Sequence, residues 1–156
     1  MGFEAEIAQR FNGLKRRGFF RYLTTSAAGF RDWVPQEYTI THEGGTQRVR
    51  AFTLAISNSD QYGNNACIAP GARTDDGLLD LTAIPPVHAL NALPLLVRLF
   101  TRSIADARGV VLRQSSRFVV ERLEAGLLHT DGEIHEAGRR IEFTVRPASL
   151  RIVTPA

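Results

Sequence analysis

Asp131-Gly132-Glu133 sets two carboxylates on either side of one glycine, and Thr74-Asp75-Asp76-Gly77-Leu78-Leu79-Asp80 gathers three more. Carboxylates grouped in this way offer two kinds of chemistry. One is to take a proton from a hydroxyl or a water. The other is to hold a hard divalent cation, which prefers one or two carboxylates with carbonyls or waters completing its shell. Residues i and i+2 share a face of a strand, so Asp131 and Glu133 can serve one site from a strand as well as from a turn. Each group also has an ordinary explanation. Asp-Gly is a common turn pair, because aspartate caps its own backbone and glycine accepts positive φ. Taken alone, either cluster is first of all a turn.

The elements around them set the context. Ile7, Phe11 and Leu14 recur at helical spacing, as do Phe20, Leu23, Ala27 and Phe30 after Gly18. From Glu37 the period changes to two. Tyr38 and Ile40 alternate with polar residues, Gly44-Gly45 makes a hairpin turn, and Val49 to Ile56 reads as one returning strand. Gly44-Gly45-Thr46 is not a phosphate loop, since no helix follows to receive a phosphate. Leu78 to Ile84 reads as a buried strand ended by Pro85-Pro86. Val87 to Ile104 reads as a helix containing Pro94. Strand-like runs follow at Gly109 to Gln114, Arg117 to Leu123, Ile141 to Val145 and Leu150 to Val153, with turns at Gly126 and Gly138. The expected fold is mainly β and antiparallel, with helices at its start and middle.

The 156 residues make about one domain. With 44% hydrophobic residues and a mean hydropathy of −0.12, a packed core is expected rather than disorder. Cys67 stands alone and cannot form an internal disulfide, which points to a reducing, cytoplasmic setting. No apolar run reaches the roughly 20 residues of a membrane span, and Met1 to Gln9 lacks a basic leader. A net charge of +3 and a pI near 9.6 suit contact with phosphates or an anionic membrane surface. No nucleic-acid-binding motif is present. Lys15-Arg16-Arg17, with Arg21 one turn on, is either a solvated helix end or a patch facing anionic headgroups.

"GFEAEIAQRF", "SNSDQYGNNACIAPGARTDDGLLDL" and "HTDGE", in that order, resemble the C-terminal domain of the diacylglycerol kinase-type lipid kinases. That family includes bacterial diacylglycerol and related lipid kinases, sphingosine kinases and ceramide kinases, and is distantly related to NAD kinases. The resemblance covers essentially the whole chain. Asn64 departs from it, standing where the family often has a second glycine. The resemblance implies a two-sheet, β-sandwich-like C-terminal domain spanning residues 1–156. The family's N-terminal nucleotide-binding domain, with its Gly-Gly-Asp-Gly-Thr motif, is missing from this sequence, so the chain by itself is expected to be inactive.

The resemblance also implies roles. Glu133 matches the family's general base for the lipid hydroxyl, and Asp131 the carboxylate facing the magnesium of ATP. Asp76, with the backbone carbonyls of Arg73 and Leu78, matches a second magnesium site. The implied partners are a lipid substrate, an anionic membrane surface at the inner membrane face, and the N-terminal nucleotide-binding domain, with ATP as co-substrate. His129 and His135 fall outside the motif and read as ordinary strand or turn residues. The apolar helix from Val87 to Phe100 either lines an acyl groove or is ordinary core. The alternative to an enzyme part is a non-catalytic lipid- or membrane-binding module, which the missing nucleotide motif favours for the chain by itself. An NAD kinase-like domain is disfavoured by the Asp-Gly-Glu ending, and a carboxylate-pair hydrolase by the lack of any further active-site pattern.

Overall fold

A computed structural model describes residues 1–12, 33–63 and 65–150. The expected second helix (Phe20 to Phe30), the Lys15-Arg16-Arg17 run, Asn64 and most of the strand expected at Leu150 to Val153 lie outside the described residues. The elements run α1 (Phe3–Asn12), β1 (Gln36–His42), β2 (Gly45–Ala51), β3 (Thr53–Ser57), β4 (Gln61–Gly63), β5 (Ala66–Cys67) and β6 (Leu79–Ile84). Then come α2 (Ala89–Phe100), a 3₁₀ turn (Ile104–Asp106), β7 (Val111–Ser115), β8 (Arg117–Arg122), β9 (Gly126–Thr130), β10 (Glu133–Ala137) and β11 (Arg140–Thr144).

Two antiparallel sheets face each other. One has the order β11-β8-β1-β2 and the other β3-β6-β7. Alternation along β1 sends Tyr38 and Ile40 inward, where they pack with Phe118 and Val120 of β8. Leu54, Leu81 and Ala83 close this core from the three-stranded sheet. Burial pushes the Tyr38 phenol up to about 12, so it stays protonated and donates to Gln36 Oε1 at 2.9 Å.

β6 is buried on both faces, hence its nearly unbroken apolar run. Its second face meets a second core, where Ala55, Ile68, Ala69, Ile84 and Ile104 pack with Val87, Leu95 and Leu99. The layers are therefore four-stranded sheet, three-stranded sheet, and then α2 with the loops beside it.

The single strand expected from Val49 to Ile56 is two strands. The chain bends at Phe52 and leaves the first sheet for the second, as strands do at a sandwich corner. The start of the chain packs into that corner. Phe3 N and Trp33 Nε1 both donate to Phe52 O at 3.1 Å, and the Phe3 and Phe52 rings stand 4.4 Å apart. Gly2 sits there at φ +91, and a Cβ would meet Phe52 O at 2.9 Å. The helix expected to run to Ile104 ends at Phe100, where Thr101 N closes onto Val97 O at 2.9 Å. Gly126 and Gly138, expected as turns, border a hairpin that alternation did not reveal, β9–β10.

Candidate active site

The β9–β10 hairpin carries the Asp-Gly-Glu stretch at its tip. Thr130 pairs with Glu133, so Asp131 and Gly132 are the two residues of the turn. Both have positive φ, +50 and +90, which is the type I′ geometry that a two-residue hairpin favours and Asp-Gly satisfies. The turn therefore decides how the two carboxylates are offered. Both project from an exposed tip, rather than from one face of a continuous strand. His135 Nε2 lies 2.7 Å from Thr130 Oγ1 across the hairpin.

This hairpin is a separate two-stranded sheet, so ladder hydrogen bonds do not hold it to the sandwich. Two polar anchors do. At its open end the buried Arg122 guanidinium, on β8, donates to four backbone carbonyls. They are Ala137 at 2.6 Å, Gly126 at 2.7 Å, Leu127 at 3.2 Å and Gly138 at 3.2 Å. Burial lowers the Arg122 pKa, but a guanidinium stays charged, and its fork of five donors matches a ring of carbonyls.

The second anchor lies closer to the tip. Tyr62 of β4 donates its hydroxyl to a Glu4 carboxylate oxygen on α1, and its Oη stands 3.0 Å from His129 Nε2 on β9. The Glu4 carboxylate also accepts from the Met1 amine at 2.6 Å. His129 Nδ1 is buried with no partner. One tautomer satisfies this arrangement. Nε2–H donates to Tyr62, Tyr62 donates to Glu4, and Nδ1 carries a lone pair. Charging the ring would bury a second N–H with no acceptor. Burial accordingly lowers the His129 pKa, with Glu4 and Asp131 pulling the other way and the Met1 amine adding to the fall.

Sequence reading left Arg122 unremarked and treated His129 as ordinary. The one signal for Arg122 was its place at the end of β8, one residue beyond the Glu121 that closes the apolar run Phe118 to Val120. For His129 it was a histidine following Leu127-Leu128, a pattern too common to single it out.

The Asp76 loop stands apart. No hydrogen bond or ion pair among the described residues joins it to the hairpin, and no three His, Cys, Asp or Glu side chains among them gather as a metal site. Asp76 Oδ1 accepts from Leu78 N at 2.9 Å, an Asx turn. The Arg73 guanidinium folds away onto Asp75, at 3.1 and 3.3 Å, and holds that carboxyl below its usual range. Asp76 thus keeps one oxygen without a hydrogen bond, in a loop whose residues 73–76 are exposed. That donor set is compatible with a hard cation. Asp80, just beyond, is buried. Its Oδ1 accepts from Gln114 Nε2 at 3.0 Å, its Oδ2 has no partner, and burial raises its pKa.

The two facing sheets and their flanking hairpin form the fold seen in the crystal structure of a diacylglycerol kinase from Bacillus anthracis. That structure is 13% identical, with a TM-score of 0.57 over 94% of this chain and 48% of that one. The family described as the YegS C-terminal NAD kinase beta sandwich-like domain matches residues 1–154, and the chain belongs to it. A Pseudomonas putida protein named "Probable lipid kinase YegS-like" is 28% identical over 99% of this chain and 51% of its own length. Its Pseudomonas aeruginosa counterpart is 34% identical over 67% of this chain and 34% of its own. A Mycobacterium tuberculosis protein named "Diacylglycerol kinase" is 25% identical over 99% and 50%. The chain spans about half the length of the curated relatives that it matches end to end. No helix among the described residues is long and apolar enough to cross a membrane.

Proposed function

We propose that this chain is the acceptor-side domain of an ATP-dependent lipid kinase, in which Glu133 is the general base. The observation that carries the reading is the Asp131-Gly132 turn, which offers Glu133 from an exposed hairpin anchored to the sandwich by Arg122 and by Tyr62 with Glu4. Membership of the lipid-kinase-associated domain family supports it. Glu133 takes the proton of the lipid hydroxyl as its oxygen bonds to the γ-phosphorus. The bond from that phosphorus to the bridging oxygen breaks, and ADP leaves. Asp131, beside Gly132 in the turn, would be the carboxylate facing the magnesium of ATP, which would supply charge neutralisation at the phosphate oxygens. Asp76, with the carbonyls of Arg73 and Leu78, would hold a second magnesium, which would order its loop. A nucleotide domain completes the enzyme, which works at the inner face of the cytoplasmic membrane.

The test joins the chain to a nucleotide domain bearing Gly-Gly-Asp-Gly-Thr and supplies MgATP with mixed lipid vesicles. The joined protein phosphorylates lipid and the chain alone does not. Glu133→Gln lowers kcat by about 10²–10⁴-fold, the usual share of a general base, with fold and MgATP binding intact. A Glu133→Gln enzyme within a few-fold of the parent turnover removes the base from Glu133.

A further inference from the structure

The chain leaves α2 through a conformation that its residue does not favour. Thr101 caps the helix, Ser103 N reaches back to Arg98 O at 3.0 Å, and Arg102 between them stands at φ +57. This closure puts a left-handed residue one place beyond the cap, where glycine is the usual occupant. An arginine there carries a Cβ that the left-handed region crowds. Backbone held in a sparsely populated region persists where surrounding contacts fix it, and such residues gather at functional sites. The contact that the Arg102 guanidinium makes is an ion pair with Asp60. The arginine is largely exposed, and a pair of that kind adds too little to stability to offset the strain by itself.

Asp60 leads from that contact toward the candidate site. It immediately precedes β4, and its carbonyl accepts from Ile68 N at 3.1 Å and Ala69 N at 3.3 Å, just after β5. The β5 side is rooted. Ile68 and Ala69 are buried in the second core, and Thr82 Oγ1 of β6 donates to Ile68 O at 2.9 Å. β4 has no such root. All three of its residues are exposed, and its pairing with β5 is irregular between Gln61 and Gly63, the neighbours of Tyr62. The direction in which β4 leaves the second core therefore depends on Asp60, which Arg102 holds by its carboxylate.

Tyr62 carries that direction to the catalytic hairpin. β4–β5 and β9–β10 are separate sheets with no ladder between them. The Tyr62 hydroxyl bridges the gap, donating to Glu4 and accepting from His129 Nε2 at 3.0 Å. The Tyr62 and His129 rings meet edge-on, with centroids 6.1 Å apart. His129 faces Ile134 across the hairpin, and Ile134 is the next residue after Glu133.

We propose that Arg102 is a positioning residue for Glu133, acting through Asp60, Tyr62 and His129 to fix the angle at which the hairpin offers its tip. The effect on turnover rests on the reading of Glu133 as the base. The effect on the hairpin does not, so the two are tested separately.

The full chain alone tests the mechanical part. Arg102→Gly removes the ion pair and the backbone strain together, so its melting temperature equals or exceeds that of the parent, whereas loss of a merely stabilising residue would lower it. Nitrogen NMR shows His129 as the Nε2–H tautomer in the parent and as a mixture in the variant, and the amide signals from His129 to Ile134 shift. Asp60→Asn breaks the same pair without touching the helix end and moves the same signals. It is the second variant should the glycine one melt early. In the joined enzyme Arg102→Gly lowers kcat about fivefold, the most that an exposed pair supplies, with KM for lipid and MgATP within about twofold of the parent. Tyr62→Phe lowers kcat about 10-fold, and adding Arg102→Gly to it costs little more, because both act along one series of contacts. Arg102→Lys keeps a cation in reach of Asp60 and restores most of the turnover. Hairpin signals unmoved by both Arg102→Gly and Asp60→Asn would overturn the inference, as would losses of kcat that multiply in the double variant. Hairpin signals that respond while Glu133→Gln keeps the parent turnover would instead overturn the base reading and leave the hold of Arg102 on the hairpin standing.

Discussion

Arg122 Nη2 donates to Ala137 O at 2.6 Å, and with three further carbonyls in its grip this one side chain gathers the open end of the hairpin whose tip holds Glu133. No carboxylate among the described residues is paired with it. Its charge is met by backbone dipoles alone.

Arg122→Met should therefore cost stability well beyond a surface change. It strands several carbonyls, each a loss of about 1–3 kcal/mol where water does not replace the donor, and a total of about 2–4 kcal/mol is expected from urea denaturation. Arg122→Lys should recover part of this, since an ammonium reaches some carbonyls but not a fork of four. Hydrogen exchange adds the specific signature, with amides of β9 and β10 losing protection before those of β8. Uniform loss across both sheets would show a core residue and no anchor.

The turn residues should separate from each other. Gly132→Ala places a side chain at φ +90, and no neighbour lies within reach of the new Cβ, so the cost is backbone strain alone, about 1 kcal/mol. Asp131→Asn keeps a residue that tolerates φ +50 and should leave the melting temperature nearly unchanged. In the joined enzyme Asp131→Asn should instead raise the magnesium concentration needed for half-maximal rate. Equal losses of stability in both variants would return Asp131 to the role of a turn residue.

His129 should make the fold acid-sensitive. Its folded pKa lies below the ordinary 6.5, so the unfolded chain binds the proton first. The contribution of His129 is fully present above about pH 6.5, and is lost as the pH falls from there through the lower folded value. The groups facing the ring are Glu4, the Met1 amine, Asp131 and the Tyr62 hydroxyl. Denaturation measured from pH 7.5 downward should show a steeper loss in the parent than in His129→Gln. Parallel curves would mean that the ring takes its second proton without penalty.

Asp76→Asn should leave the loop folded and abolish the magnesium binding proposed for it. Asparagine Oδ1 can still accept from Leu78 N, so the Asx turn survives while the charge goes. Amide shifts from Arg73 to Leu79 should respond to magnesium in the parent and not in the variant. A response shared by both would assign the ion to another group.

The sequence by itself determined the alternation of β1, the buried run of β6, the Asp-Gly turns and the order of the motifs, because these rest on local backbone preference and on spacing along the chain. Tyr38 and Ile40 had to face inward once β1 formed, and Asp131-Gly132 had to turn. What surrounds the turn was decided only by tertiary structure. Arg122 lies four residues before one of its carbonyl partners and up to 16 before another, and Glu4 lies 58 residues from Tyr62. No local pattern announces a guanidinium that will be met by four carbonyls, or a histidine that will be joined to a tyrosine on another strand. The division of α2 into a covered and a bare side is of the same kind. Its sequence is apolar around most of its circumference, interrupted by Asn91 and Arg98 on one face, and only the packing of Leu95 and Leu99 onto the second core settled which apolar residues were left to face outward.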